Sequence, residues 1–126
     1  MYKPRTEQTE NAYSAFKQSG AQIDVFNFDN EIIVREFSHW IIIKNRFPYD
    51  RMARTNDMLV SRKPLLSHYN GTDEVKAEYH SIINLLAEEG FYDALIENFP
   101  KVKSVQTYAH THLVQWHNTT PQVGNL

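Results

Sequence analysis

The sequence contains no cysteine. That excludes a disulfide framework, thiol chemistry and any zinc site built on thiolates. It fits a reducing compartment, and the cytoplasm is the expected location. No apolar run approaches the length of a membrane span, so no membrane association is expected. The best run, Trp40-Ile41-Ile42-Ile43, is strand-sized. The opening MYKPRTEQTE is polar and lacks the apolar core of a signal peptide. A net charge of -2 does not supply the broad basic surface that nonspecific nucleic-acid binding uses. Nucleic acid is therefore not the expected partner. There is also no internal repeat and no low-complexity stretch.

What is present is the composition of an ordinary globular chain: 126 residues, 41% hydrophobic and 22% charged. That length predicts a single domain over residues 1–126, able to bury a core without staples. Residues 1–8 and 118–126 read as loose tails. Thr9 is placed to cap a short helix over residues 10–19, with Gly20 as its stop. Residues 23–28 and 31–37 read as strands around Asp29-Asn30, a pair that tolerates a tight turn. Residues 39–44 form another strand, since their apolar run is short and β-branched. A loop marked by Pro48 and carrying Arg46, Arg51 and Arg54 follows over residues 45–55. A strand over residues 56–62 precedes Pro64.

Thr72 then caps the longest helix, residues 73–89, with Asp73 and Glu74 at the positive end of its dipole. Val75, Tyr79, Ile82, Ile83 and Leu86 make one apolar stripe, and Gly90 ends the helix. A strand over residues 94–98, a turn with Pro100 and a strand over residues 104–116 complete the order. The expected class is α+β: an antiparallel sheet of about five strands, one long helix on a face and a short N-terminal helix.

The last strand carries the chemistry. KSVQTYAHTHLVQW alternates, so Ser104, Gln106, Tyr108, His110 and His112 share one face. A strand built for stability alone more often shows charges or Thr to water. Two imidazoles two residues apart, beside hydroxyl and amide groups, read as the floor of a site. Imidazole titrates near neutrality and serves as base, acid, nucleophile or metal ligand.

Ser104-Val105, followed by Tyr108-Ala109-His110-Thr111-His112-Leu113-Val114, resembles the signature of the histidine triad (HIT) superfamily of nucleotide hydrolases and transferases. That signature is a Ser-Val pair, then His-x-His-x-His and two apolar residues. Tyr108 stands at the first His, His110 at the middle one and His112 at the last. A second register takes His110 as first and His112 as middle; it puts Val114 at the last His and loses the Ser-Val pair. Upstream, Thr55-Asn56-Asp57-Met58-Leu59-Val60-Ser61-Arg62-Lys63 resembles the family's Thr-His, apolar, Pro and two-basic stretch. Asn45-Arg46-Phe47-Pro48 resembles the acidic residue and Pro beside the nucleoside.

The resemblance implies a HIT-like fold and a purine nucleoside monophosphate, or its conjugate, as the bound partner. No cofactor and no metal are implied, and a homodimer is the implied assembly. His110 takes the role of nucleophile at the α-phosphate, and His112 binds the phosphate or steadies the leaving group. Ser104 contacts phosphate and Asn45 a ribose hydroxyl, with Tyr108, Gln106 and Asn56 as further substrate-side residues. Three departures stand against the family pattern. Tyr108 replaces the first His and titrates near ~10, so it does not copy an imidazole at pH 7. Asn56 stands where a His is expected. The turn Phe99-Pro100-Lys101-Val102-Lys103 has no glycine, although its lysines offer charge. Two alternatives follow: a weak or inactive HIT-like domain that binds a nucleotide or a protein partner, and a metal site of His110, His112 and a third ligand from His39, His117 or a carboxylate.

Overall fold

Two helices arise where the chain supplies both an apolar stripe and its own caps. The computed structural model describes residues 3–19, 31–99 and 108–117. In it α1 spans Glu7–Gln18 and α2 spans Asp73–Glu89. For α2 the expected cap is in place: the Thr72 hydroxyl accepts the Val75 N–H. Gly90 closes the helix at φ 69°, a left-handed conformation that glycine adopts without a Cβ clash.

The first helix starts earlier than its sequence predicts. Thr6, not Thr9, is the cap, and its hydroxyl accepts the Thr9 N–H. The reason is tertiary. Asp50 accepts from the Thr6 N–H at 2.8 Å and from both threonine hydroxyls. Burial raises the Asp50 carboxyl, but these donors outweigh it and hold the group below its usual range. Residues 3–8 are thus tied to the following loop: Arg5 Nε donates to the Phe47 carbonyl, and the Arg51 N–H to the Pro4 carbonyl.

Among the described residues five strands pair antiparallel: β1 (Ile33–Glu36), β2 (Trp40–Lys44), β3 (Ala53–Ser61), β4 (Ala94–Ile96) and β5 (His110–Trp116). Their order across the sheet is β1-β2-β3-β5-β4. A 3-10 turn, His68–Asn70, precedes α2. The architecture is the expected α+β. Its strand ends differ: β3 begins at Ala53 rather than 56, and β4 stops at Ile96 rather than 98. Tyr108 and Ala109 precede the final strand. The strand expected over residues 23–28, Ser104, Gln106 and the tail at 118–126 lie outside the described residues.

The central strands β2, β3 and β5 are largely buried on both faces, which explains the unbroken apolar run in β2. Trp40, Ile42, Leu59 and Leu113 pack with Tyr79, Ile82 and Leu86 of α2. Val75 and Ile83 of the stripe are partly buried beside them. The Trp40 indole N–H donates to the Val75 carbonyl at 2.9 Å, so the indole's one polar atom is satisfied at the same seam. Ile41, Ile43, Met58 and Val60 form a second cluster on the opposite face, with Tyr108 against it. Among the described residues no helix is long and apolar enough to cross a membrane.

Candidate functional site

Period-two alternation puts His110 and His112 on the face of β5 away from α2, while Thr111 turns to the helix and meets the Tyr79 hydroxyl at 2.9 Å. The two imidazole rings lie 5.4 Å apart at 77°. They share a face, as the sequence predicts, but their surroundings differ.

His112 is 3% exposed and engaged at both ring nitrogens. The register sets Met58 opposite His112, so Asn56 reaches it diagonally. Asn56 Nδ2 lies 3.2 Å from Nδ1, and the Tyr49 hydroxyl 3.1 Å from Nε2. The orientation of the Asn56 amide is fixed by backbone. The Tyr49 N–H can only donate, so it marks Oδ1, at 2.9 Å; the Asp57 carbonyl can only accept, so it marks Nδ2, at 3.0 Å. Asn45 Nδ2 adds a second donor to Oδ1 at 3.1 Å. It follows that Asn56 donates to His112 Nδ1, and that the ring proton is on Nε2, facing Tyr49. The Tyr49 ring also stacks on His112 at 4.4 Å. Burial first, then His110 and the Arg5 charge, push the His112 pKa down to about 3. Arg5 sits 5.0 Å above the Tyr49 ring. His112 is therefore a neutral imidazole in a fixed tautomer.

His110 is held differently. Its Nδ1 lies 3.2 Å from the Tyr108 carbonyl, an obligate acceptor, so Nδ1 carries the proton and Nε2 the lone pair. His110 also stands among the residues that line a cavity of about 220 Å³, most of whose wall, including Trp40, His68, Tyr79 and Thr111, lies on the α2 side of the sheet. The topology explains the opening. β4 pairs with β5 only as far as Ile96 opposite His112. Beyond that the chain departs from β5, and Glu97, Asn98 and Phe99 become walls facing His110 and Thr111. Trp40 and Tyr79 add aromatic surface, and the exposed Tyr69 and Phe99 stand among the lining residues.

Of the residues singled out in the sequence, the structure gathers Asn45, Asn56 and His112 into one hydrogen-bonded chain and sets His110 beside it. Tyr108 contributes its carbonyl to His110, while its ring packs on the second apolar cluster. Four residues escape sequence reasoning. Tyr49 and Asn98 are one; the Asn98 amide donates to the Tyr49 hydroxyl at 3.4 Å. The other pair is His68 and Glu97, whose Nδ1 and Oε2 atoms are 2.8 Å apart in the cavity wall. Pro48, directly before Tyr49, marks the first loop and nothing marks the second. The ligands considered for a metal go elsewhere: His39 lies by Glu74, and His117 Nε2 donates to the Asp50 carbonyl. Among the described residues no three His, Asp or Glu side chains converge on a point that would hold a metal.

No family model and no curated protein matches the sequence. Solved structures do match its fold. A histidine triad protein from Clostridium difficile aligns at TM-score 0.53 and 20% identity, over 73% of this chain and 84% of its own. A HIT family hydrolase from Clostridium thermocellum aligns at TM-score 0.54 and 16% identity, over 89% and 95%. A hypothetical histidine triad nucleotide-binding protein from Sulfolobus tokodaii strain 7 aligns at TM-score 0.53 and 12% identity, over 89% and 73%. Identities this low speak to architecture alone. With its antiparallel sheet, its one long helix and its paired histidines on the final strand, the chain has a histidine triad-like fold.

Proposed function

We propose that this protein binds a purine nucleoside monophosphate or its conjugate and is a nucleotide hydrolase or nucleotidyl transferase acting at the α-phosphate. The intermediate is a nucleotide joined covalently to His110. One observation supports the reading: the Tyr108 carbonyl holds the His110 proton on Nδ1, which leaves Nε2 as the unprotonated ring atom, the form a nucleophilic imidazole needs. Attack by Nε2 on phosphorus expels the attached group; water or another acceptor then takes the nucleotidyl group from His110. The Asn98 amide, the Tyr49 hydroxyl and Ser104 are candidate phosphate donors. Asn45 is bound to Asn56, so a ribose contact uses its remaining hydrogen-bonding capacity.

His112 takes a narrower role here than the family pattern implies. With both nitrogens engaged and its pKa near 3, it positions the site and stays a neutral imidazole that transfers no proton. Direct contact with phosphate requires Tyr49 to give way. That saturation favours a second reading, a HIT-like domain that binds its nucleotide with little or no turnover. The proposal takes residues 1–126 as one domain, a homodimer as the assembly and the cytoplasm as the location. Sedimentation velocity tests the assembly.

The deciding experiment offers a nucleoside phosphoramidate and a dinucleoside polyphosphate to the parent and to His110→Ala. The parent should release nucleoside monophosphate, and mass spectrometry of acid-free quenches should find a nucleotidyl adduct on His110. His110→Ala should lose at least ~10³-fold in rate, because no other group replaces the nucleophile. A rate that survives this substitution overturns the mechanism. Nucleotide binding without turnover moves the conclusion to the second reading.

A further inference from the structure

The cavity of about 220 Å³ lies behind the strand that carries His110 and His112, on the side of the sheet covered by α2. Thr111, which alternation turns the other way, is part of its wall and meets the Tyr79 hydroxyl. The nucleotide chemistry proposed above uses neither His68 nor Glu97.

Two kinds of surface meet in this cavity. One is aromatic. Trp40 and Tyr79 pack with ring centroids 5.0 Å apart, and His68 lies flat on Tyr79 at 4.0 Å and 6°. Tyr69 and Phe99, both largely exposed, line the same space. The other surface is a pair of acceptors. His68 is 8% exposed, and its Nδ1 lies 2.8 Å from Glu97 Oε2. A carboxylate only accepts, so the His68 proton is on Nδ1 and Nε2 keeps a lone pair. Among the described residues no donor reaches Nε2, and His68 is the only donor to the Glu97 carboxylate.

The charge of this pair is set by burial. Burial lowers the His68 pKa, Glu97 opposes that and His80 adds to it, and the balance lies below the ordinary value of 6.5. At pH 7 the imidazole is therefore uncharged and does not cancel the carboxylate. The other groups against His68 are Tyr79 and His80 on α2 and Tyr69 on its own turn. Among the described residues no lysine or arginine lines the cavity. An anion would meet Glu97 there and no cationic side chain. A cation would meet a carboxylate, which offsets the cost of leaving water, and ring faces that attract positive charge. The volume lies below the ~300–1,000 Å³ of pockets for drug-sized ligands, so the occupant is small.

We propose that this cavity is a binding site for a small organic ammonium ion. Its N–H groups donate to the Glu97 carboxylate and to His68 Nε2, and its apolar body lies against Tyr69, Tyr79 and Phe99. The site is on the sheet face opposite the His110 and His112 rings and fills independently of the chemistry there.

Phenethylamine, phenethyl alcohol and 3-phenylpropionate share a body and differ in charge, so they serve as probes on the purified full-length chain at pH 7. In NMR titrations phenethylamine should shift the ring nitrogens of His68 and leave those of His112 unmoved. It should bind ~10-fold or more tightly than the alcohol, as a charge-assisted hydrogen bond requires, and 3-phenylpropionate should not bind. Glu97→Gln keeps the side chain's length and removes its charge, and the preference for amine over alcohol should largely disappear. Equal affinity for amine and alcohol in the parent overturns the proposal. So does an amine that shifts His112 instead of His68, or one that does not bind at millimolar concentration. An amine preference that survives Glu97→Gln removes Glu97 as its cause and overturns the site as drawn. If Glu97→Gln does not fold, the comparison of the three probes in the parent decides alone.

Discussion

His112 and His68 are both buried, His112 next to His110 along β5 and His68 stacked on Tyr79 at the α2 side of the sheet. The hydrogen-bonding capacity of His112 is used up by Asn56 and Tyr49. Only one nitrogen of His68 is given to a carboxylate. Burial lowers the pKa of both; at His112 the neighbouring His110 and Arg5 add to it and carry the value to about 3, whereas at His68 Glu97 opposes it. Burial alone does not make an imidazole reactive or inert. What decides is whether its partners leave a nitrogen that can change state. The β5 network is a rigid support, and the His68–Glu97 pair is a separate ionisable cluster in the cavity wall.

Acid breaks this contrast most strongly. Below pH 6.5 the unfolded chain binds a proton at residue 112 that the folded chain refuses until about pH 3. The associated stability is present in full above 6.5 and is lost as pH falls through that window, by roughly 4–5 kcal/mol at its acid end. Urea denaturation across pH should show a shallower slope for His112→Asn than for the parent; equal slopes would remove His112 as the cause. By NMR, His112 should remain neutral through most of this window.

Asn56→Ala attacks the support directly. It leaves the Tyr49 N–H, the Asp57 carbonyl and His112 Nδ1 without the amide that serves all three. The expected cost is about 2–4 kcal/mol in urea, and the nitrogen shifts of His112 should lose the signature of a single tautomer. An unchanged tautomer would mean that Tyr49 alone fixes the ring. Tyr49→Phe keeps the stacking and removes the acceptor for the His112 proton, at about 1–2 kcal/mol. The smallest effect belongs to Thr6→Ala, which removes the α1 cap and the hydroxyl contact to Asp50 for about 1 kcal/mol, while the backbone N–H contact stays. Its loss should be greatly reduced in an Asp50→Ala background if the two act as one unit.

How much was legible in the sequence follows from where each signal resides. The helix Asp73–Glu89 matches its prediction because stripe, Thr72 cap and Gly90 stop all lie within the segment. Pairing of His110 with His112 on one face is equally local. The start of α1 was misread because two threonines three residues apart both offer a cap, and the choice is made by Asp50, far along the chain. Asn56 was picked out by its place in a motif, but its bond to His112 depends on strand register. Tyr49 and His68 sit in a loop and a 3-10 turn, where no periodicity points a side chain anywhere. Glu97 was read as part of a strand, and its role arises because the strand ends first.

That early end has a consequence for how such a pocket is made or unmade. In the register of Ala94, Leu95 and Ile96 on Val114, Leu113 and His112, the next partners would be Glu97 with Thr111 and Asn98 with His110. Two further rungs would zip the ladder shut across the doorway. Every reactive side chain would still be present, and none would be reachable. Access here is governed by a length, the number of rungs on an outer strand, rather than by the identity of any residue. Changes that raise or lower the extended-chain preference of residues 97–99 therefore act as a hinge pin on the whole site, tuning admission without touching the chemistry inside.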